Sequence, residues 1–470
     1  MARAKIICTL GPASCDETTI RGLVEAGMNV ARVNFSHGGH EGLADVICTM
    51  RKVAAETGNP IAILGDLAGP KIRIGEVENG CVMLEAGREL TITAREVVGT
   101  ASLVGTTYAN LATDVEKGNR ILIDDGNIEL LVTEVLPEAV KTTVVVGGEL
   151  KPHKGMNLPG IAVSAPAISA KDFTDMEFAV RHGLDYIGLS FVRSPDDVAK
   201  AKKILANFGS DTPVIAKIEK EMAVVHFDAV LEQADGIMIA RGDLGVEMAS
   251  EQVPIIQKRI IEKCNMAGKP VITATQMLES MTHNPRPTRA ETSDVANAVL
   301  DGSDAVMLSG ETAVGRYPVK AVETMRRIID GVENELGKGR SVLAQIVEES
   351  TIQDAVTVAA VRAAEILNAA AIIAYTQSGS TAKRLSLHRP KTRIIAITPS
   401  ETIRRRLALY WGIQSVLVSE VVDTDSMVNI TGKIALECGY VKPGDIIVIT
   451  SGTPIGVPGT TNLMNIHHIT

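Results

Sequence analysis

A (β/α)8 barrel of the TIM type, carrying an inserted antiparallel β-barrel lid domain and followed by an open C-terminal α/β domain, is the fold class the sequence predicts. Three observations predict it. Eight short β-branched runs that end in Gly, Ser, Asp or Glu alternate with longer segments of helical period. The rhythm breaks between Ile72 and Ile168, where the apolar pattern shortens to alternating runs. After Glu335 a second αβ block begins.

The eight runs are Lys5 to Leu10, Asn29 to Ser36, Pro60 to Leu67, Tyr186 to Val192, Pro213 to Glu219, Gly236 to Asp243, Pro270 to Met277 and Ala305 to Glu311. Helical stretches follow most of them, among them Thr18 to Ala26, Pro195 to Asn207, Ser250 to Ala267, Arg289 to Leu300 and Pro318 to Glu335. Eight parallel strands with crossover helices predict a closed barrel rather than an open sheet. The interruption holds CVMLEA, ELTIT, RILID, IELLVTEV and TTVVVGG, punctuated by Gly and Asn, which is the pattern of an antiparallel β domain. It leaves the barrel through a βα loop, so it is expected over the catalytic face as a lid, with Gly69, Pro70 and the Pro159-Gly160 pair as hinges. In the last block AVTVAAVRAAEIL reads as a helix, and AAIIAY, RIIAIT, SVLV and DIIVIT as four strands of an open α/β domain. The expected limits are 1–69 and 168–340 for the barrel, 70–167 for the lid and 341–470 for the C-terminal domain, with Gly337 to Arg340 as the linker candidate.

Composition narrows the function. The chain of 470 residues exceeds what one hydrophobic core supports, so several domains are expected. Aromatics are 3% of the chain and Gly numbers 41, which fits tightly turned α/β units and excludes an aromatic stacking platform for single-stranded nucleic acid. The formal charge of −9 leaves no global basic field for a polyanion, so nucleic acid is not an expected partner and any phosphate must be held by local cations. Cys8, Cys15, Cys48, Cys81, Cys264 and Cys438 form no Cys-x-x-Cys pair and read as reduced thiols. The opening runs straight into KIICTL without a charged-then-apolar leader, and no uncharged apolar run is long enough for a bilayer. A cytoplasmic location without membrane contact is the expectation.

Chemistry collects at the ends of the runs. In AKIE, strand period two places Lys217 and Glu219 on one face, so an ammonium and a carboxylate point together into the barrel mouth. The next run ends in MIARGDLGVE, with Asp243 at its tip beside glycines that permit close backbone approach. Two carboxylates from adjacent strand ends suit Mg²⁺ or Mn²⁺, completed by water and substrate. A purely structural Lys217–Glu219 ion pair is the competing reading, and the conjunction with Asp243 at a strand end favours function. In ARVNFSHG the alternation sends Arg32, Asn34 and Ser36 to one side, an Arg with hard oxygen ligands that suits phosphate and a cation. GDLAGPKIR supplies Asp66, Lys71 and Arg73, and ITATQML supplies Thr273 and Thr275 on one face. A buried Thr hydroxyl is more often hydrogen-bonded structure than a proton relay. TQSGSTAKRL, Thr376 to Leu385, is a Ser/Thr/Gly turn entering a helix, a phosphate cradle or simply a helix cap. His37, His467 and His468 read as solvated or structural histidines rather than metal ligands.

Together ARVNFSHG, GDLAGPKIR, KGMNLPG, AKIE, IARGDLGVE, ITATQMLESM, NPRPTRAE, DVANAVLDGSDAVMLSGETA and SGTPIGVPGTTN resemble the pyruvate kinase family, in order and along essentially the whole chain. The resemblance implies transfer of the phosphoryl group of phosphoenolpyruvate to ADP, giving pyruvate and ATP, the last step of glycolysis. It implies that Lys217 neutralises the phosphoryl group and steadies the enolate, and that Glu219 and Asp243 hold the divalent metal. Backbone around Gly242, with Asp243 and Thr275, would meet the substrate carboxylate, and Thr275 lies on the side where the enolate carbon is protonated. Arg32 and Arg73 would grip phosphates, and Asn34, Phe35, Ser36, His37 and Lys154 would face the nucleotide. Thr376, Ser378, Gly379, Ser380 and Thr381, with the segment Thr453 to Thr461, would bind a phosphorylated activator in a homotetramer joined through effector domains. Many members need K⁺ and carry Glu where this chain has Lys71; members with Lys there resemble a K⁺-independent branch, since a fixed ammonium supplies the missing charge. A candidate K⁺ shell of Asn34, Ser36, Asp66 and the Leu67 carbonyl nevertheless persists. Another phosphoenolpyruvate or keto-acid barrel enzyme, such as a lyase, and a catalytically silent metabolite-binding scaffold are the alternatives; the first lacks the inserted β domain, and the second would be expected to have lost Lys217, Glu219 or Asp243.

Overall fold

The computed structural model describes residues 2–161, 163–336, 351–421, 423–455, 457 and 459–470, so the linker candidate Gly337 to Arg340 and the expected domain limit at 340 lie outside the described residues. All eight expected barrel strands form: Lys5–Leu10, Val30–Asn34, Ala62–Asp66, Tyr186–Leu189, Val214–Ile218, Gly236–Ala240, Val271–Ala274 and Ala305–Leu308. They close a barrel in which each strand neighbours the next in sequence and the eighth neighbours the first. Every residue of the third to the eighth strand is buried. Strands covered on both faces need near-continuous apolar runs, which is why they were legible as such.

The expected runs overshoot the carboxyl ends. The sixth strand stops at Ala240 and the chain turns at once into the helix Arg241–Glu247, so Asp243 sits in a helical first turn and not at a strand tip. The seventh stops at Ala274 because Thr275 (φ 68°) and Gln276 (φ 54°) take left-handed backbone, which no ladder accommodates. Thr273 and Thr275 therefore do not share a strand face; Thr273 is buried against the Ser303 hydroxyl at 2.7 Å. The fourth ends before Phe191 (φ 53°) for the same reason.

The described chain forms two compact units, Met1–Gly65 with Arg181–Ile187 and Ile261–Thr470, and Asp66–Val180 with Gly188–Ile260. The second contains the inserted β domain. There Arg120–Ile123, Ile128–Leu136, Ala139–Val146 and Glu89–Thr93 pair antiparallel in turn, and Met156–Asn157 adds to one edge. The other edge strand, Leu103–Gly105, runs parallel to its neighbour and is the exception to antiparallel pairing. A separate ribbon, Val82–Leu84 with Gly148–Leu150, shares the same core through Val82, Leu84 and Leu150 packed with Leu90, Ile121 and Leu130.

The first unit holds the C-terminal sheet. Its order is Ile413–Leu417, Arg393–Thr398, Ala371–Tyr375, Ile446–Gly452 and Thr461–His468, with the last strand antiparallel. That fifth strand was not expected, because an edge strand with only Thr461 fully buried carries no apolar run. Within the same unit Asp185, its carboxylate wholly buried, accepts from Arg51 and Arg405 at 2.9 Å each and from the Ile63 amide at 2.8 Å. Two guanidiniums and an amide are what make that burial tolerable, and they tie the start of the fourth barrel strand to the C-terminal domain. All six cysteines are free thiols, Cys8 and Cys264 among them buried. Among the described residues no helix is long and apolar enough to cross a membrane.

Candidate active site

The carboxyl ends of the third to the sixth barrel strands bring four of the expected side chains together. Lys217, inside the fifth strand, points its ammonium at Glu219 Oε1 (2.9 Å), Asp66 Oδ1 (3.2 Å) and Ser190 Oγ (2.8 Å). The period-two pairing of Lys217 and Glu219 is thus realised in contact. Glu219 is fixed a second time, since its Oε2 accepts the Phe191 amide at 2.7 Å. Phe191 holds left-handed backbone to aim that N–H, a conformation that costs a non-glycine residue energy and persists only where surroundings impose it.

Asp243 faces this cluster. Its carboxyl is pushed up to about 6, first by burial and next by the Glu219 charge, while Lys217 and Lys71 pull it back. A cleft of about 50 Å³ beside it is lined by Lys71, Asp125, Phe191, Arg193, Lys220 and Glu247, among others. Glu247 is nearly fully buried and accepts from both Lys220 and Asn157 Nδ2, the latter at 3.1 Å, which fastens the returning end of the inserted domain to the barrel loops. Arg193 does the same a few residues later, donating to the Val163 and Ala165 carbonyls at 2.6 and 3.0 Å. Arg73 donates to the His153 carbonyl at 2.9 Å, and Lys154 pairs with Asp124 at 2.7 Å, so both nucleotide candidates are engaged within the inserted domain. Gly242 lies in the same first turn as Asp243.

In the other unit Arg32 donates to the Thr9 hydroxyl at 2.9 Å, and Thr9 in turn donates to the Leu308 carbonyl at 2.9 Å, so the guanidinium is oriented by neighbouring strands. Asn34 ends its strand, and its side-chain oxygen accepts the Ser36 amide at 3.0 Å, making Ser36 part of a turn rather than of the strand face. Phe35 is fully buried, where the ring meets the space a Cβ on Gly65 would need; what it can offer a ligand is backbone. His37 is the following turn residue and donates its amide to the Asn34 carbonyl at 3.2 Å. Thr275 donates to the Ala274 carbonyl at 2.6 Å. The loop it heads is held by Glu311, which accepts the Leu278 and Ser309 amides at 2.9 and 2.7 Å and whose carboxyl burial pushes up.

In the C-terminal domain, Gly379 (φ 82°) precedes the helix Ser380–Leu387 and donates its amide to Thr376 Oγ1 at 2.9 Å. Thr381 meets Thr461 at 2.6 Å across a shallow cleft of about 20 Å³ that Thr376, Ser378 and Ser380 also line. A larger cavity, about 1120 Å³, lies elsewhere, at the amino ends of the first three barrel strands, and contains none of these residues.

The family models decide what this arrangement is. The model for the barrel domain of pyruvate kinase matches residues 1–322, and that for its alpha/beta domain matches residues 354–467. The chain belongs to the pyruvate kinase family. It is 50% identical to the pyruvate kinase of Geobacillus stearothermophilus and 47% identical to that of Staphylococcus aureus strain MRSA252, in each case over 99% of this chain and 80% of the relative. A crystal structure of a pyruvate kinase from Cryptosporidium parvum, 36% identical, superposes with a TM-score of 0.93 over 100% of this chain and 96% of that one. Membership of the pyruvate kinase family makes the chain a phosphotransferase. Sequence reasoning missed the contact of Asp66 with Lys217 and passed over Ser190 and Phe191 altogether; the available signal was a polar Ser190 ending the apolar run YIGL.

Proposed function

We infer that the chain transfers the phosphoryl group of phosphoenolpyruvate to ADP around Lys217. The observation that carries this reading is the buried ammonium gathered with Glu219, Asp66 and Asp243 at the carboxyl ends of barrel strands, where (β/α)8 enzymes work. In the reaction the bond from phosphorus to the enol oxygen breaks, a bond to a terminal phosphate oxygen of ADP forms, and the enolate carbon takes a proton. Such chemistry needs positioning and charge neutralisation more than covalent help. Lys217 neutralises charge on the phosphoryl group and then on the enolate. Arg32, oriented by Thr9, grips phosphate oxygens, while backbone near Gly242 and the Thr275 hydroxyl receive the substrate carboxylate. Thr275 also orders the water that protonates the enolate carbon. Asn34 to His37, Arg73 and Lys154 hold the nucleotide, and the inserted domain, residues 70–167, serves as the lid.

The carboxylates fit Mg²⁺ or Mn²⁺. Glu219 and Asp243 are hard oxygen donors whose mutual repulsion helps raise the Asp243 carboxyl, a tension that a divalent cation relieves. Among the described residues no third His, Cys, Asp or Glu completes a cluster, which leaves the remaining positions to water and substrate oxygens. When bound, the cation would supply charge neutralisation for the transferred phosphoryl group.

Lys71 supports activity without K⁺, because its positive charge is already felt at Asp243. Turnover in K⁺-free buffer is expected to reach the rate measured with K⁺ to within about twofold, given that a fixed ammonium replaces the ion's charge. Activity that appears only on adding K⁺ would remove this role from Lys71 and leave the Asn34, Ser36, Asp66 and Leu67 shell as a working site.

Thr376, Ser378, Gly379, Ser380 and Thr381 form the effector loop of this proposal, receiving a phosphorylated activator on hydroxyls and helix-start amides. The expected result is a lowered phosphoenolpyruvate KM with at least one member of a panel of sugar phosphates and AMP. Unchanged kinetics across the panel would sink it. A cytoplasmic homotetramer, acting in the last step of glycolysis and joined through residues 341–470, completes the reading, and sedimentation as a monomer would contradict that assembly.

A further inference from the structure

We propose that Ser190 is the positioning residue for the Lys217 ammonium, an inference that rests on Lys217 being the group that meets the phosphoryl oxygens. Ser190 follows the fourth barrel strand and is 3% exposed. Its hydroxyl has one proton, and of its two acceptors the Leu67 carbonyl at 2.7 Å is much nearer than Asp66 Oδ1 at 3.5 Å. Toward Lys217 Nζ, 2.8 Å away, the oxygen can therefore only accept. Leu67 is pinned in turn, since its own amide donates to the Gly188 carbonyl at 2.9 Å. The end of the third strand thus holds Ser190, and Ser190 holds the ammonium.

Ser190 offers the ammonium a neutral, hydrogen-bonded oxygen, whereas Asp66 Oδ1 at 3.2 Å and Glu219 Oε1 at 2.9 Å are ion-pair contacts. That difference matters for geometry. An ammonium has three N–H bonds at fixed tetrahedral angles, so anchoring two of them sets the direction of the third. Glu219 is the acceptor whose oxygens the cation would also claim. With Glu219 so engaged, the Ser190 hydrogen bond and the Asp66 ion pair together fix the orientation of the ammonium toward substrate. Carboxylates alone would draw the ammonium to the point of lowest energy between them, whatever the substrate required. The backbone packs closely here: a Cβ on Gly69 would stand 3.1 Å from the Ser190 Cβ.

The test compares Ser190→Ala, Lys217→Met and the double variant in the full-length protein, with phosphoenolpyruvate, ADP and Mg²⁺. Ser190→Ala is expected to lower kcat by about 10- to 100-fold, the scale of a misplacement near 1 Å at the reacting centre, with the KM for ADP within about twofold. Added to Lys217→Met, it is expected to lower the residual rate by less than about twofold, because an effect exerted through Lys217 has nothing left to act on. Ser190→Cys, which keeps the volume and loses most acceptor strength, is expected to fall with alanine and covers the case in which the alanine variant does not fold. A wild-type kcat in either Ser190 variant, or a loss that multiplies fully onto Lys217→Met, would overturn the assignment. A wild-type rate in Lys217→Met itself would instead overturn the reading of Lys217.

Discussion

Replacing Lys217 by methionine is expected to lower kcat by about 10³-fold or more, while the protein remains folded. Removing a single neutral donor from a preorganised anion site costs roughly 10² to 10³ in rate, and here a full charge is withdrawn from a buried site where water cannot substitute. Methionine matches the length of the apolar stem, so packing within the fifth strand, buried throughout, is little disturbed. The loss should be concentrated in kcat rather than in the KM for ADP, because the interaction strengthens as charge develops in the transition state. Steady-state kinetics with a melting curve on the same preparation checks both halves. A variant that keeps within tenfold of the wild-type kcat would show that the ammonium is a structural partner of Asp66 and Glu219, the alternative its ion pairs leave open.

Asp243→Asn carries the second largest expected effect, with opposite signs on two observables. The Asp243 carboxyl is raised to about 6 by burial and by Glu219, so in the metal-free protein the folded state prefers it protonated. Its contribution to stability is therefore present at low pH and lost as pH rises through about 6. At pH 7.5 the ionised group opposes folding until a cation binds. Asparagine removes that opposition, so the metal-free variant is expected to melt higher than the wild type at this pH. With Asp243 holding the cation as proposed above, the same change removes a ligand, and the rise in Tm that Mg²⁺ produces in the wild type is expected to vanish, with kcat lower by about 10²-fold or more. In the wild type a proton competes with the cation, so the Mg²⁺-dependent rise in Tm should shrink below pH 6, the apparent affinity falling by up to about tenfold per pH unit. Thermal melts of both proteins at pH 7.5 and pH 5, with and without Mg²⁺, read all three. An undiminished Mg²⁺ effect in Asp243→Asn would remove the residue from the metal site.

The barrel was legible because its strands are buried on both faces and must be apolar throughout, and because each is followed by a polar or glycine-rich turn. Strand ends were not. Residues such as Phe191, Thr275 and Gln276 continue an apolar or alternating pattern, yet they take left-handed backbone to aim groups at the site, and no pattern in the chain announces it. Asp243 shows the same limit, since the helix Arg241–Glu247 opens directly on the strand with two glycines inside it, against helix propensity. The inserted domain gave its long strands by alternation, whereas Leu103–Gly105, Gly148–Leu150 and Met156–Asn157 are too short to carry a period and exist only through their partners. In the site, Lys217 and Glu219 could be paired from spacing two. The approach of Asp66 and Ser190 to Lys217 spans 151 and 27 positions and needed the closed barrel.

The most direct measurement is the stoichiometry of products from purified protein supplied with phosphoenolpyruvate, ADP and Mg²⁺ in K⁺-free buffer. Pyruvate and ATP are expected in equal amounts, dependent on both ADP and the divalent cation and lost in Lys217→Met. Pyruvate without matching ATP, or no pyruvate with or without K⁺ and candidate activators, would contradict phosphoryl transfer at this site.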